Sequence, residues 1–431
     1  MNISIFGLGY VGCIVSGCLA DHGHNVIGID INEEKVNKIN RGQCPVEEDG
    51  LPSKIADAVK PGNLRATTNG SQAVLESEVS FVSVGTPLDG DTRISMSNLY
   101  SVMDSISNGM EEKDKHTIVI RSTVLPGTTE NIRNYLYENI DEESKVDFVV
   151  NPEFLREGSA IDDFYHPPYI ILGSYATAAS ERIKSIYREV GIKVDVHEVD
   201  VREAEMLKIV NNSFHALKIS FANEIGSIAS QYDIDGKVLM DLVCEDEKLN
   251  ISDAYLEPGM AFGGSCLPKD TQSLDGLAEK KSIDSPIIDN ILESNTSHLD
   301  RIAEEVKATA GDSVGIVGLS FKGGTNDMRN SPSLRLIERL SSHQVNIYAK
   351  NADIKQTVGA NREYIDYILN EYEPRILENP DEFLAESHTI LLTNDDNYSE
   401  LSGNLKSHTV IDPVGVLSAD AISGEYRTVS W

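Results

Sequence analysis

The stretch Phe262-Gly263-Gly264-Ser265-Cys266-Leu267-Pro268-Lys269-Asp270 sets a thiol, an ammonium and a carboxylate within five residues. They follow a glycine pair that lets backbone approach a ligand closely. A thiolate is a strong nucleophile, and a neighbouring cation lowers the pKa of its parent thiol. The other end of the chain gives this nucleophile a context. Gly7-Leu8-Gly9-Tyr10-Val11-Gly12 is a complete G-x-G-x-x-G, the turn on which a dinucleotide's pyrophosphate rests. A nucleophilic cysteine working with a nicotinamide cofactor points to oxidation through a thioester.

The glycine turn sits in the context it requires. Asn2 to Phe6 reads as a buried strand, Val11 to Leu19 as an apolar helix, and Asn25 to Asp30 as a second strand. Together they make a βαβ unit of about thirty residues. Gly7 permits the tight turn, Gly9 admits the pyrophosphate, and Gly12 lets helix and strand pack closely. Asp30 ends the second strand 18 residues after Gly12, where an acid grips ribose hydroxyls and repels a 2′-phosphate. The cofactor is therefore NAD rather than NADP.

Further strands read at Glu78 to Val84, His116 to Arg121 and Val146 to Asn151. Each stops at polar or Gly/Pro residues, and the carboxyl ends of such strands form the ligand crevice of an open parallel sheet. Thr86 and Thr123 are thereby placed to face the nicotinamide half of the cofactor. From Asp200 to about Tyr232 the apolar residues recur at three- and four-residue steps, which predicts one long helix that joins domains and packs against a partner subunit. Lys208, Asn212 and His215 share one face of it, beside the apolar stripe, and make a candidate cleft lining. Strands resume at Ser313 to Gly318, Val345 to Tyr348, Thr389 to Leu392 and Thr409 to Ile411, a second Rossmann-like domain without the glycine signature. The fold class is α/β, with two doubly wound Rossmann-like domains joined by a central helical domain. The expected divisions are 1–198, 199–300 and 301–431.

The 431 residues suffice for two or three domains, and no apolar run of 18 residues marks a membrane span. A strand starting at residue 2 leaves no room for a signal peptide, and a cytoplasmic protein is expected. The five cysteines, without a C-x-x-C pair, suit free thiols in a reducing compartment. Cys13 and Cys18 read as small core residues on the first helix, and Cys44 and Cys244 as structural. No metal site is expected. With 37 basic and 69 acidic residues the net charge is −32, which argues against nucleic acid or an anionic membrane as partner. The acidity reads either as a solvated surface that resists aggregation or, the reading favoured here, as adaptation to a salt-rich cytoplasm.

These features together resemble the UDP-glucose/GDP-mannose 6-dehydrogenase family over nearly the whole chain. The matching stretches are Gly7–Gly12, Val84-Gly85-Thr86-Pro87, Arg121–Thr128, Asn151–Glu157, Phe221–Glu224, Gly263–Asp270 and Gly318–Arg329 followed by Ser331-Pro332. Within the family, Phe214–Ala216 through Ile225-Gly226, and Cys244–Asn250, look most like the GDP-mannose branch. The resemblance implies an NAD domain, a dimerising helical centre and a C-terminal sugar-nucleotide domain. It implies two successive oxidations at C6 of a nucleotide sugar, with Cys266 attacking the intermediate aldehyde. Lys208 and Asn212 would meet the C6 oxygen, and Asp270 or Glu153 would act through water as general base. Thr123 belongs to the same catalytic set. By resemblance Glu157, Lys208, Asn212, His215, Asn223, Tyr255, Gly263 and Lys322 touch the sugar nucleotide. Tyr10, Val11, Lys35, Thr86, Thr123, Lys269 and Arg329 touch NAD beside the three glycines and Asp30.

The chain departs from the GDP-mannose branch at Glu257, where an Arg is expected, at Met260, where an aromatic is expected, and at Ala254, where a Tyr is expected. Ala349 replaces the acid expected after the strand at 345–348. UDP-glucose and UDP-N-acetylhexosamine are the alternative substrates. A two-electron hydroxyacid dehydrogenase would need no Cys266, and an NAD-sensing scaffold would need none of Lys208, Asn212, Cys266 and Asp270. If the acidity is an adaptation to salt, activity and melting temperature will both rise from dilute buffer to multimolar KCl. A paired rate assay and calorimetric scan measure this, and a flat response would leave only the solvated-surface reading.

Overall fold

Strands form where the sequence runs apolar for four or five residues and then meets glycine, proline or a polar turn. The structure, a computed structural model, describes residues 1–89, 93–140, 145–252, 258–264, 267–320, 328, 330–349, 360–394, 398–401, 404–405, 408–418 and 422–429. It divides into two compact units, Met1–Ala216 and Leu217–Trp431.

In the first unit the chain runs β1 (Asn2–Phe6), α1 (Tyr10–Asp21), β2 (Asn25–Ile29), α2 (Glu33–Asn40), α3 (Leu51–Val59), β3 (Leu64–Thr67), α4 (Gly70–Glu76) and β4 (Val79–Val82). A short hairpin, β5 (Leu88–Asp89) and β6 (Arg93–Ile94), precedes α5 (Ser97–Met110), β7 (His116–Ile120), α6 (Thr128–Tyr137) and β8 (Val146–Val150). Then come α7 (Ala160–Tyr165), β9 (Ile170–Ser174), α8 (Thr177–Val190), β10 (Val196–Val199) and α9 (Val201–Ser230), a 30-residue helix. The eight-stranded sheet has the order β10-β9-β8-β7-β4-β1-β2-β3. Strands β3 to β8 of this sheet pair in parallel, and their central members are buried on both faces, as a sheet covered by helices on each side requires. The order reverses between β1 and β4, which opens the crevice at their carboxyl ends.

The sequence reading ended β1 correctly but ran β2, β4, β7 and β8 one or two residues too far at their carboxyl ends; of those extra residues, Asp30, Ser83 and Val84 leave the ladder to line the crevice. It passed over β3, β9 and β10. β9 pairs antiparallel with β8, so the sheet is not wholly parallel. Two core clusters flank the sheet. One is built on Ile3, Ile5, Ile14 and Leu19, the other on Phe6, Val82, Ile118 and Ile120. Cys13 and Cys18 lie in the first cluster, and burial pushes both thiols up to about 12. Cys44 is half-buried, and burial raises its thiol too. Cys244 is exposed at the end of its helix.

The second unit contains the later part of α9, then α10 (Gly236–Cys244), α11 (Leu267–Glu279) and α12 (Pro286–Thr309). Next are β11 (Ser313–Val317), α13 (Pro332–Arg339), β12 (Gln344–Tyr348), α14 (Ala360–Tyr372), β13 (Arg375–Leu377), α15 (Pro380–Ala385), β14 (Thr389–Leu392), α16 (Tyr398–Leu401), β15 (Thr409–Ile411) and β16 (Tyr426–Arg427). Its sheet, β13-β12-β11-β14-β15-β16, is parallel throughout, with β13 and β16 as the short edge strands the sequence did not reveal. Ala349, at the end of β12, packs as a partly buried apolar residue. No helix among the described residues is long and apolar enough to cross a membrane.

Two glycines of the first turn are obligatory for different reasons. Gly7 adopts φ 93°, which a side chain disfavours. A Cβ on Gly12 would overlap the Gly7 carbonyl oxygen, a backbone atom that cannot yield without moving β1 or α1. Gly12→Ala is expected to lose about 1–3 kcal/mol of stability through this overpacking and to weaken NAD binding at least tenfold. Calorimetric unfolding and an NAD titration check both effects.

Candidate active site

The crevice begins where β1 hands over to α1. Gly9 caps that helix without any side-chain hydrogen bond, so the first N–H groups, from Tyr10 and Val11 onward, are free for an anion. A Cβ on Gly9 would meet nothing within 4 Å, which leaves the approach open. Asp30 is held rigidly. Its Oδ2 accepts the Leu8 N–H at 2.8 Å, its Oδ1 accepts the Asn32 N–H at 2.9 Å, and Lys35 Nζ lies 3.4 Å away. Lys35 stands in the first turn of α2, whose N-terminus Asn32 caps through the N–H groups of Glu34 and Lys35. These residues border a cleft of ≈ 500 Å³ lined among others by Gly7, Gly9, Asp30, Lys35 and Gly85. Ile31, 96% exposed, stands on its rim as an apolar platform that sequence reading missed. An uncapped helix N-terminus, an open glycine and a fixed acid fit the pyrophosphate and ribose of NAD.

The neighbouring strand ends are laced together. The Thr86 hydroxyl donates to the Thr123 carbonyl at 2.7 Å, the Ser122 hydroxyl to the Val84 carbonyl at 2.7 Å, and the Asn98 amide to the Gly85 carbonyl at 2.8 Å. Beneath them Arg121, 7% exposed, gives one guanidinium nitrogen to Asn151 Oδ1 and to the Tyr187 hydroxyl, each at 2.7 Å. Asn151 then donates to the Ile171 carbonyl at 2.9 Å. These contacts aim the turn Pro152-Glu153. Glu153 Oε2 accepts the Leu155 N–H at 2.7 Å, and its Oε1 lies 3.0 Å from Lys208 Nζ. Both side chains are about a tenth exposed, at 10% and 12%, and the ammonium stands 5.7 Å from the Phe154 ring centroid. Two residues expected in the site, one on a loop and one on α9, thus form a single ion pair. Asn212 and His215, farther along α9, are exposed.

Glu157 is exposed on the loop that follows, and its position is set by a residue the sequence did not flag. Glu48 is buried, and its carboxylate accepts the Tyr10 hydroxyl at 2.5 Å, the Gly158 N–H at 2.9 Å and the Ala160 N–H at 2.8 Å. The Tyr10 hydroxyl and these N–H groups hold the Glu48 carboxyl below its ordinary range. Burial, with Glu48 beside it, pushes Tyr10 up to about 12. Arg156 and Asp163 add a two-pronged pair, with bonds of 3.1 and 2.6 Å.

In the second unit, the loop leading to the Gly263-Gly264 pair is fixed by Asn295 of α12. Its side chain both accepts from the Phe262 N–H at 2.8 Å and donates to the Phe262 carbonyl at 2.9 Å. Gly263 packs against the Asn330 carbonyl and Pro332, where a Cβ would clash, and the Asn330 amide reaches the Gly264 carbonyl at 3.3 Å. His298 meets the Gly259 carbonyl at 2.7 Å. Met260 packs against the apolar core of this unit. Lys269 and Asp270, in the first turn of α11, pair with each other at 3.0 Å, each 70% exposed. Asn223 is exposed on α9, whereas its neighbour Glu224 caps α12 by accepting the Ile287 and Ile288 N–H groups. Cys266, Tyr255, Lys322 and Arg329, with Ala254 and Glu257, lie outside the described residues. No group of three or more His, Cys, Asp or Glu among the described residues is placed to hold a metal ion.

Three models of the UDP-glucose/GDP-mannose dehydrogenase family match in order: the NAD binding domain at residues 1–191, the central domain at 202–297 and the UDP binding domain at 315–419. The GDP-mannose 6-dehydrogenase of Azotobacter vinelandii is 40% identical over 441 residues, covering 100% of both chains. The UDP-glucose 6-dehydrogenase AglM of Haloferax volcanii is 33% identical over 353 residues, covering 79% of this chain and 80% of that one. A crystal structure of a ternary complex of GDP-mannose dehydrogenase from Pseudomonas aeruginosa superposes with a TM-score of 0.93 at 36% identity, covering 100% of each chain.

Glu48→Gln cannot satisfy three donors at once, and a loss of about 2 kcal/mol is expected at neutral pH. Because the folded carboxyl titrates below its unfolded value, its contribution is full above about pH 5 and fades as pH falls below about 4. The gap in melting temperature between wild type and variant will therefore narrow in acid, which scanning calorimetry across that range records.

Proposed function

Because the chain belongs to the UDP-glucose/GDP-mannose dehydrogenase family, an NAD-dependent nucleotide-sugar 6-dehydrogenase family, we propose that its substrate is GDP-mannose and its product GDP-mannuronate. The observation that carries this reading is the full-length 40% identity to a GDP-mannose 6-dehydrogenase, together with the 0.93 TM-score to a GDP-mannose dehydrogenase complex. The departures at Ala254, Glu257 and Met260 keep UDP-glucose, and after it UDP-N-acetylhexosamine, as the second reading.

Bound NAD supplies the hydride acceptor for each of two oxidations. The Lys208 ammonium, turned from Glu153 toward the C6 oxygen, steadies negative charge as the alcohol loses its proton. Asn212 adds a hydrogen bond to that oxygen. Glu153 takes protons through water, and its tie to Lys208 favours it for this task over Asp270, which is exposed and paired with Lys269. The Cys266 thiolate adds to the C6 aldehyde, and the thiohemiacetal is oxidised to a thioester. Water then releases the uronate and restores the thiol. Thr86 and Thr123 meet the nicotinamide half of the cofactor, and Asp30 with Lys35 meets its ribose. Glu157, His215, Asn223, Tyr255, Gly263 and Lys322 bind the sugar nucleotide, and Lys269 and Arg329 add to the NAD contacts.

We read the chain as three domains, 1–198, 199–300 and 301–431, a division supported by the spans of the three family models. It works as a homodimer or larger homo-oligomer, supported in the second unit by exposed Leu217 and Ile219 on α9 and Val238 and Leu242 on α10. A cytoplasmic setting, rich in salt, suits the net charge of −32, and the uronate suits polysaccharide assembly.

Side-by-side assays with GDP-mannose, UDP-glucose and UDP-N-acetylglucosamine are expected to give NADH fastest with GDP-mannose, at about two NADH per sugar consumed. One NADH per sugar with free aldehyde would contradict the thioester route. Cys266→Ser and Lys208→Met are each expected to lower kcat by at least a hundredfold. Wild-type rates from either variant would remove that residue from the mechanism.

A further inference from the structure

Glu205 lies on α9 three residues before Lys208 and is 2% exposed. A carboxylate so deeply buried needs donors. It has two, the N–H of Gly127 and the N–H of Thr129, one on each oxygen and each at 2.6 Å. They are free N–H groups at the start of α6, whose cap Gly127 sits at φ 92° and offers no side chain. Charge-assisted bonds and the positive end of α6 hold the carboxylate there. An apolar contact at this place would let α9 slide, whereas two oxygens on two N–H groups fix both distance and direction.

What Glu205 grips is the turn that begins at Thr123, whose carbonyl accepts the Thr86 hydroxyl at 2.7 Å. What it rides on is the helix that carries Lys208, about 4.5 Å farther along the axis and on the same face. Arg202 and Glu130 join the same two helices at 2.7 Å, but that pair is exposed, at 65% and 43%, and open to salt. Glu205 is the buried link.

We propose that Glu205 is a positioning residue that sets the separation between the turn bearing Thr123 and the Lys208 ammonium, and hence between the nicotinamide and the C6 oxygen. This rests on the roles given above to Thr123 and Lys208. Glu205 itself touches neither substrate nor cofactor. Its loss should slow hydride transfer while leaving both binding sites in place.

Glu205→Gln keeps the size but turns an amide N–H toward one of the two donors. The expected result is a ten- to hundredfold lower kcat, with KM for NAD and for the nucleotide sugar within about threefold of wild type. The isotope effect on kcat with C6-deuterated nucleotide sugar should rise, which a loss of folded protein alone would not produce. A kcat within threefold of wild type, an unchanged or smaller isotope effect, or a loss confined to KM would overturn the proposal. If Glu205→Gln does not purify folded, Glu205→Asp, one methylene too short to span both N–H groups, is measured against the same criteria. Lys208→Met separates the two layers. If it retains turnover, the underlying reading fails. If it loses turnover while Glu205→Gln does not, only the role given to Glu205 fails.

Discussion

Two opposite charges, the Lys208 ammonium and the Glu153 carboxylate, meet at 3.0 Å with about nine-tenths of each side chain out of solvent. Taking either charge out of water alone is costly, and the partner offsets that cost only when the geometry is good. The pair therefore obliges a loop at the carboxyl end of β8 and the first turns of α9 to meet in one arrangement. The Leu155 N–H on the other Glu153 oxygen and the Phe154 ring beside the ammonium narrow that arrangement further. A cation held this way can be drawn toward a developing alkoxide without first being stripped of water.

The rest of the first unit supports that meeting with buried polar braces. Arg121 aims the turn before Glu153 through Asn151 and Tyr187, and Glu48 ties the loop after it to the first residue of α1. The same economy answers how a chain of net charge −32 attracts a dinucleotide. Local positive groups are on hand for it, namely uncapped backbone N–H groups at the start of α1 and Lys35 beside Asp30.

What the sequence revealed was what short windows encode. The glycine turn, the apolar strands and the period of α9 are local patterns, and each stands within two residues of where it was read. Lys208 and Glu153 could be named from their types, but their pairing could not, since a fold alone brings positions 153 and 208 together. Glu48 and Glu205 gave no signal at all. They act on N–H groups 110 and 78 residues away, in a chain where 69 residues are acidic. The edge strands β3, β10, β13 and β16 escaped because two to four residues with polar members carry too little pattern. β9 escaped although its run is apolar, since nothing in it announces that it will lie antiparallel to β8.

The placement of Cys13 and Cys18 has a consequence for life under oxidants. Peroxide attacks thiolates, and these two sulfurs stay protonated far above cellular pH and lie sealed inside the cofactor-binding layer. The first helix of the dinucleotide-binding unit is thus shielded from sulfur oxidation. Among the described thiols an oxidant would meet the exposed Cys244 before Cys13 or Cys18, and a sulfenate or disulfide formed there is one that cellular reductants can reverse.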